Sequence, residues 1–561
     1  VLALAGDIDL ETAKEKVNKF FGDIPAGPPL VKPDIWIAKR SEEKRDIMFD
    51  NVPQARIYKA WNVPQRDTEA AAHFDIASSV LVGGKNSPLY KELVYEKQIA
   101  TSVSAFYYDR EIAGMFFVVA DVVAGEDPKK VEKAMDDVLE SFIKRGPDVK
   151  LLKAEKTKAL AGFIRGIQRI GGFGGKSDLL ATCQTYTGNP GCYKKSAEFL
   201  DLATPANIKK TFAQWIDDTP YVLTILPIEK LSANQNSVDR SQGIPYPTEK
   251  VSFKFPSLQT ATLSNGARVV LAERKNVPLV EMNFQFNFGY AQENIDQLGY
   301  TNFMMDMLNE GTKKYTSLEF DEILDSMGSN IGFGSDLDTS FVSLSSLKSN
   351  LGKTLDLAKE AIMYPSFPES EIARIKKQTL AAFKRDEFRP SSIAFRNIGN
   401  LLYGADHPYG KLLIGSGVTS TIENIDAKKL SSLHQLALNP KHLTFTVAGD
   451  ISLDEMVNLL EMKFGDWESA SDTELKVIPN VSLPETRRIY LIDKPNAEQS
   501  YIVAGQLLPP TATAEEIKIN YMNYAIGGSF TSRLNMNLRE DKSWSYGART
   551  RLGNAKGQKK N

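Results

Sequence analysis

The sequence has little charge of either sign to spare. Its 68 lysines and arginines face 70 aspartates and glutamates, leaving a net charge of -2. A surface that holds nucleic acid or an anionic membrane carries a basic excess, so neither partner is expected. Long apolar runs are also missing: none approaches the roughly 18 residues that a membrane helix needs. The best candidate, GMFFVVADVVAG, is short and carries Asp121, so it reads as a buried strand and no membrane span is expected. Histidine is scarce, and His73, His407, His434 and His442 stand singly, with no pair at the helical spacing that lets two rings reach one ion. Each is expected in a structural hydrogen bond. Cysteine is scarcer still: Cys183 and Cys192 flank the turn-rich QTYTGNPG and either bridge or stay free. A bridge points to a periplasmic or other extracytoplasmic compartment, where thiols oxidise. No targeting signal can be read in the opening VLALAGDIDL. It reads as a strand already under way, so the chain is expected to be a piece of something longer.

What is present is an ordinary globular composition, 42% hydrophobic and 25% charged over 561 residues, enough for three or four cores. The most informative feature is a long internal repeat. VLALAGDIDLETAKEKVNKFFGD recurs as LTFTVAGDISLDEMVNLLEMKFGD, pairing Gly6 with Gly449 at an offset of 443. The same offset pairs Asp50 with Asp493, and farther on Leu93 pairs with Leu538. Each copy reads as strand, Gly-Asp turn, amphipathic helix, strand and long helix, which predicts α+β layer domains.

Between the copies, residues 232–256 are polar and rich in turn formers, as an exposed linker would be. A different α+β domain is expected over 257–435. It opens with an Asn265-Gly266 hairpin signal and a strand alternating at Val280, Met282, Phe284, Phe286 and Phe288, and it carries a helix from about Glu369 to Phe388. The expected organisation is therefore 1–231, a domain truncated at its start; the 232–256 linker; 257–435; and 436–561, truncated at its end. By the repeat, copy one lacks a counterpart of the 257–435 domain ahead of Val1.

Four stretches in order, LSNGARVVL, GYTNFMMDMLNEGTKK, DHPYGKLLIGS and SRLNMNLREDKSWSYG, resemble the pitrilysin/insulinase family of zinc metallopeptidases, which includes the mitochondrial processing peptidases. The resemblance implies two homologous halves, each of two α+β domains, closing like a clam shell around a chamber for peptides. It also implies an inverted zinc motif, His-x-x-Glu-His, in the first domain of the first half, with a glutamate farther on as third ligand. Two imidazoles and a carboxylate suit a catalytic zinc with one open position, and the motif glutamate serves as base.

Laid on this sequence, the motif falls on Asn302, Met305 and Asp306, and the third ligand on Ala382, flanked by Glu371 and Glu387. None of these can replace what the motif requires, and two oxygens on one helix fall far short of a calcium shell. The 257–435 domain is therefore expected to be pseudo-catalytic, with no zinc in this stretch. The resemblance further implies a substrate-binding pair in the last domain, an arginine and a tyrosine that stabilise charge on the reacting carbonyl. These match Arg539 and Tyr546, whereas copy one has Val94 and Thr101 there. A loop-like IGGFGGKSD is set aside as a phosphate cradle, because Ile170 stands where the first glycine belongs.

The expectation is part of a zinc metalloendopeptidase acting on peptides or unfolded segments, with zinc in the full-length protein and this stretch supplying non-catalytic domains and substrate contacts. The alternatives are a non-catalytic assembly subunit and a silent peptide-binding partner. The implied partners are a peptide and either a missing N-terminal catalytic domain or a separate active subunit.

Overall fold

The structure, a computed structural model, describes residues 1–25, 27, 32, 34–50, 52, 54–216, 219–227, 257–275, 277–411, 414–469, 474–482, 488–495, 497 and 499–561. The 232–256 linker lies outside the described residues.

The first sheet orders its strands β1-β5-β2-β4-β3, with β1 (Lys44–Asp50), β2 (Arg56–Val63), β3 (Ala100–Tyr108), β4 (Gly114–Val122) and β5 (Tyr221–Pro227). Only β1 and β5 run parallel. The apolar run read as a buried strand is β4, held between β2 and β3 with Phe116, Val118 and Ala120 turned into the core. Helices Glu69–Val82, Pro128–Arg145 and Pro205–Trp215 cover that face, and Phe74, Phe116 and Phe212 meet with ring centroids 4.9 to 5.4 Å apart. The buried Lys59 is neutralised by the covering helix, 2.5 Å from Asp136 and 3.5 Å from Glu132.

The second sheet runs β6-β7-β11-β8-β10-β9, from β6 (Gln259–Thr262), β7 (Arg268–Glu273), β8 (Leu279–Phe286), β9 (Asn330–Ser335), β10 (Ser340–Leu347) and β11 (Leu443–Gly449). The β6–β7 hairpin turns through Gly266 at φ +89°, the left-handed conformation its Asn-Gly signal predicts. On β8, Val280, Met282, Phe284 and Phe286 are buried, so the alternation read from the sequence is the face of the strand in the core. The anticipated helix spans Glu369–Asp386. Phe284, Phe445 and Phe464 form the aromatic centre, drawn from β8, β11 and the Leu453–Phe464 helix. Thus β11, which belongs to copy two of the repeat, is an inner strand of the sheet begun by residue 259. It pairs parallel with β7 and antiparallel with β8.

Copy one differs. Its helix forms at Leu10–Phe21, but the residues before it, expected as a strand, form none. A lone extended segment has no ladder to join, and its exposed backbone groups bond to water. Cys183 and Cys192 are joined in a disulfide, with Cα atoms 5.3 Å apart, consistent with an extracytoplasmic, periplasmic setting. Among the described residues no helix is long and apolar enough to cross a membrane.

Candidate functional site

The short helix Tyr300–Asp306 holds the positions of interest. It starts at Gly299, φ +90°, where a Cβ would stand 2.7 Å from the Gly417 backbone, so both the turn and the close approach require glycine. The buried Glu293 carboxylate accepts the N–H groups of Gly299 at 2.8 Å and Thr301 at 2.6 Å, satisfying donors at the helix start. Burial pushes its carboxyl up to about 7 against these hydrogen bonds and the nearby Lys411.

The three motif positions do not converge. Met305 is fully buried in the core with Phe303, Met304 and Met307. Asn302 accepts a hydrogen bond from the Ser335 hydroxyl on β9, which commits its amide oxygen to the sheet. Asp306 reaches solvent from a protein-walled position; that wall, and then the charge of Glu310, push its carboxyl up to about 6, a shift water partly screens. Ala382 offers a methyl group. An amide already engaged, a thioether facing inward and one carboxylate do not fit a zinc site, which needs imidazole, thiolate or carboxylate groups aimed at one point. Among the described residues no group of three or more His, Cys, Asp or Glu could hold a metal ion.

What the helix leads into is a buried ion cluster that the sequence did not disclose. Glu310, four residues beyond Asp306, takes Arg374 at 2.6 Å and Lys85 at 2.9 Å. Arg374 also reaches Glu371 at 2.7 Å, and the Tyr95 hydroxyl donates to Glu371 at 2.6 Å. Burial opposes ionisation of Glu310, but the Lys85 and Arg374 cations outweigh it and hold the carboxyl below its usual range. Lys85 and Tyr95 come from the first repeat copy and the other three from the stretch that carries the Tyr300–Asp306 helix, so the cluster ties the two together. Lys158 adds a second tie, 2.6 Å from Asp325. Glu371, noted only for flanking the third-ligand position, is a structural member of this network.

The histidines are placed as expected for three of four. His73 bonds Thr211 at 2.7 Å, His434 meets the Ile362 carbonyl at 2.7 Å, and His407 meets the Pro479 carbonyl at 2.9 Å while accepting the Tyr409 N–H. The glycine-rich stretch follows the Val149–Gly166 helix, where a phosphate loop would follow a strand.

Arg539 and Tyr546 do come together. The guanidinium lies 4.9 Å from the centroids of both Tyr546 and Phe530, and its Nε sits 3.1 Å from Glu540. Tyr546 is 92% exposed, with its hydroxyl free to meet a ligand. The copy-one counterparts are built into the structure: Val94 is buried, and Thr101 accepts from the Gln54 amide at 2.8 Å.

Comparison with known proteins follows the same lines. The family model described as peptidase M16 inactive domain matches residues 1–159 and 424–559, together over half of the chain, and the model described as insulinase (peptidase family M16) matches 268–413. The uncharacterized zinc protease YmxG of Bacillus subtilis is 24% identical over 285 residues, covering 51% of this chain and 68% of its own. A protein of Helicobacter pylori described as the non-peptidase homolog YmxG is 22% identical over 302 residues, covering 52% and 68%. A crystal structure of a peptidase M16 inactive domain from Pseudomonas fluorescens aligns with a TM-score of 0.48 at 22% identity, covering 54% of this chain and 73% of that one. With one family matched over both repeat copies and over the α+β domain between them, the chain belongs to the M16, or insulinase, family of zinc peptidases and carries its two-layer domains.

Proposed function

We propose that this chain is a non-catalytic component of an M16-type peptide chamber, a silent partner that contributes walls and a substrate-facing pair. The observation that carries this reading is the helix Tyr300–Asp306, whose motif positions are a hydrogen-bonded amide, a buried thioether and a lone carboxylate. Arg539 and Tyr546 supply a cation and a phenol donor on an exposed surface, suited to a peptide carbonyl. Hydrolysis by the assembly then depends on a zinc site elsewhere, in a separate active subunit or in a domain N-terminal to Val1.

The test uses an unfolded fluorogenic peptide with this 561-residue chain. Zinc addition is expected to give no cleavage, while fluorescence anisotropy shows binding that Arg539→Ala and Tyr546→Phe each weaken by about three- to tenfold, the worth of one hydrogen bond. Zinc-dependent cleavage by the chain alone overturns the silent-partner reading. Binding indifferent to both substitutions removes the substrate role of the pair.

A further inference from the structure

Two cations on the segment leading into β1 differ from their neighbours. Lys44 pairs with Asp46, and Arg45 with Glu43 and Glu132. Lys39 and Arg40 instead lie over aromatic rings, the Lys39 Nζ 5.7 Å from the Trp215 centroid and the Arg40 guanidinium 5.2 Å from that of Tyr221. A ring face steadies a cation and leaves its N–H groups to bond elsewhere. Among the described residues neither side chain enters an ion pair, and the buried Nη1 of Arg40 has no hydrogen-bond partner. Asp46 is already held by Lys44 and by the Tyr221 hydroxyl, which donates to it at 2.9 Å. Donor capacity left over beside a folded sheet is what an incoming anion could use.

Both cations line a cavity of about 60 Å³ in a corner of the first sheet. The pairing of β2 with β5 stops at Ala60 and Tyr221, so Trp61 and Asn62 run on past it; Trp215, at the end of the Pro205–Trp215 helix, closes the other side. The Asn62 amide donates to the Ala38 carbonyl at 2.9 Å, which holds the 38–40 segment against β2. The cavity has room for about two waters, and so for the two oxygens of a carboxylate, whereas a tetrahedral phosphate with four is too large. Trp61 is buried and Trp215 half-buried, and such apolar walls strengthen attraction between charges. The helix end contributes about half a negative charge, outweighed by two full positive ones. Nor does the shared fold require these cations: at the offset of 443, Lys39 and Arg40 fall on Ser482 and Leu483.

We propose that this corner is a carboxylate seat, in which Arg40 and Lys39 hold a free carboxylate of a bound peptide, either its C-terminal group or an acidic side chain. A guanidinium offers a planar fork that matches a carboxylate, and the lysine adds a second charge beside it. The proposal rests on the reading that this chain holds peptides. It adds an anchor in copy one to the Arg539–Tyr546 pair in copy two, so that an ionic group and a backbone carbonyl of the peptide are met by different parts of the chain. Asp217 and Asp218, which follow Trp215 closely in sequence, lie outside the described residues, and the test includes them.

The experiment measures fluorescence anisotropy of three labelled unfolded peptides with the 561-residue chain: one without Asp or Glu as the free acid, the same peptide as the C-terminal amide, and the amide with one internal glutamate. A carboxylate-bearing peptide is expected to bind at least about tenfold more tightly than the plain amide, the worth of a hydrogen bond to a charged group. Arg40→Gln is expected to remove that difference, Lys39→Gln to reduce it and Arg40→Lys to keep part of it, all with the amide's affinity and the Tm unchanged. Preference for the free acid alone assigns the seat to the C-terminus, and recovery by the glutamate assigns it to acidic side chains. Equal binding of all three peptides, or a preference that survives Arg40→Gln, overturns the seat and leaves the peptide reading standing. No peptide binding, with acetate shifting the tryptophan fluorescence of the parent chain and not of Arg40→Gln, keeps the seat and overturns the peptide reading. Inorganic phosphate that displaces the free acid better than acetate overturns the choice of carboxylate. A preference that emerges only when Asp217→Asn and Asp218→Asn are both in place assigns the cavity to the chain's own carboxylates and overturns the proposal.

Discussion

At the scale of residues, the Tyr300–Asp306 helix differs from a zinc motif by more than two missing histidines. Met305 stands where a base would need water, and it is fully buried among apolar neighbours. Installing Asn302→His, Met305→Glu, Asp306→His and Ala382→Glu together therefore buries an ionisable group without a partner, at a cost of several kcal/mol. The expected outcome is a lowered Tm and less than one zinc per chain by elemental analysis. One equivalent of zinc with an unchanged Tm would show that the helix still presents a ligand face. The substitutions themselves were legible from the sequence, since Asn302, Met305 and Asp306 fall in register with the motif. That Asn302 is engaged by Ser335 was not, because the bond joins a helix to a strand that no short-range pattern connects.

At the scale of elements, the Glu310 cluster joins the segment after the Tyr300–Asp306 helix, the Glu369–Asp386 helix and the Lys85–Tyr95 region of copy one. Glu310→Gln leaves the buried Arg374 and the partly buried Lys85 without their shared counter-charge, and removing one partner of a buried ion pair costs about 3–5 kcal/mol. Because Glu310 has a lowered folded pKa, its contribution is fully present above its usual carboxylate range and is lost as pH falls through the folded value. Chemical denaturation of Glu310→Gln should therefore show a deficit at pH 7 that shrinks in acid; a deficit that does not change with pH would mean the charge plays no part. The strands were readable wherever period and turn chemistry act locally, as in the Asn265-Gly266 hairpin and the alternation from Val280. Partners were not: period two marks Phe445 and Val447 as a strand face but says nothing of β7 and β8. The Lys85–Glu310 pair is likewise invisible, since each residue alone reads as a solvated charge.

For the whole molecule, the repeat recurs with unequal completion. Copy one has a finished five-stranded sheet, whereas the corresponding part of copy two leaves Ile489, Leu491 and Ile502 almost wholly exposed. The second sheet carries a further consequence, one of timing. Among the described residues β7 and β8 do not pair with each other; within the sheet the β6–β7 hairpin and the β8–β10–β9 group are joined through β11. Thr444 meets Arg268 across a long stretch of intervening chain, so the closing contact is among the last to become available as the polypeptide leaves the ribosome. Until residue 449 has emerged, two sheet fragments wait with open edges, each a template for the wrong chain. Released fragments ending at 440 should leave the β11-facing amides of β7 unprotected, while those extended to 469 should protect them; equal protection at both lengths would mean that the fragments close without their middle strand. Synthesis from one end thus makes a single late strand the clasp of the domain.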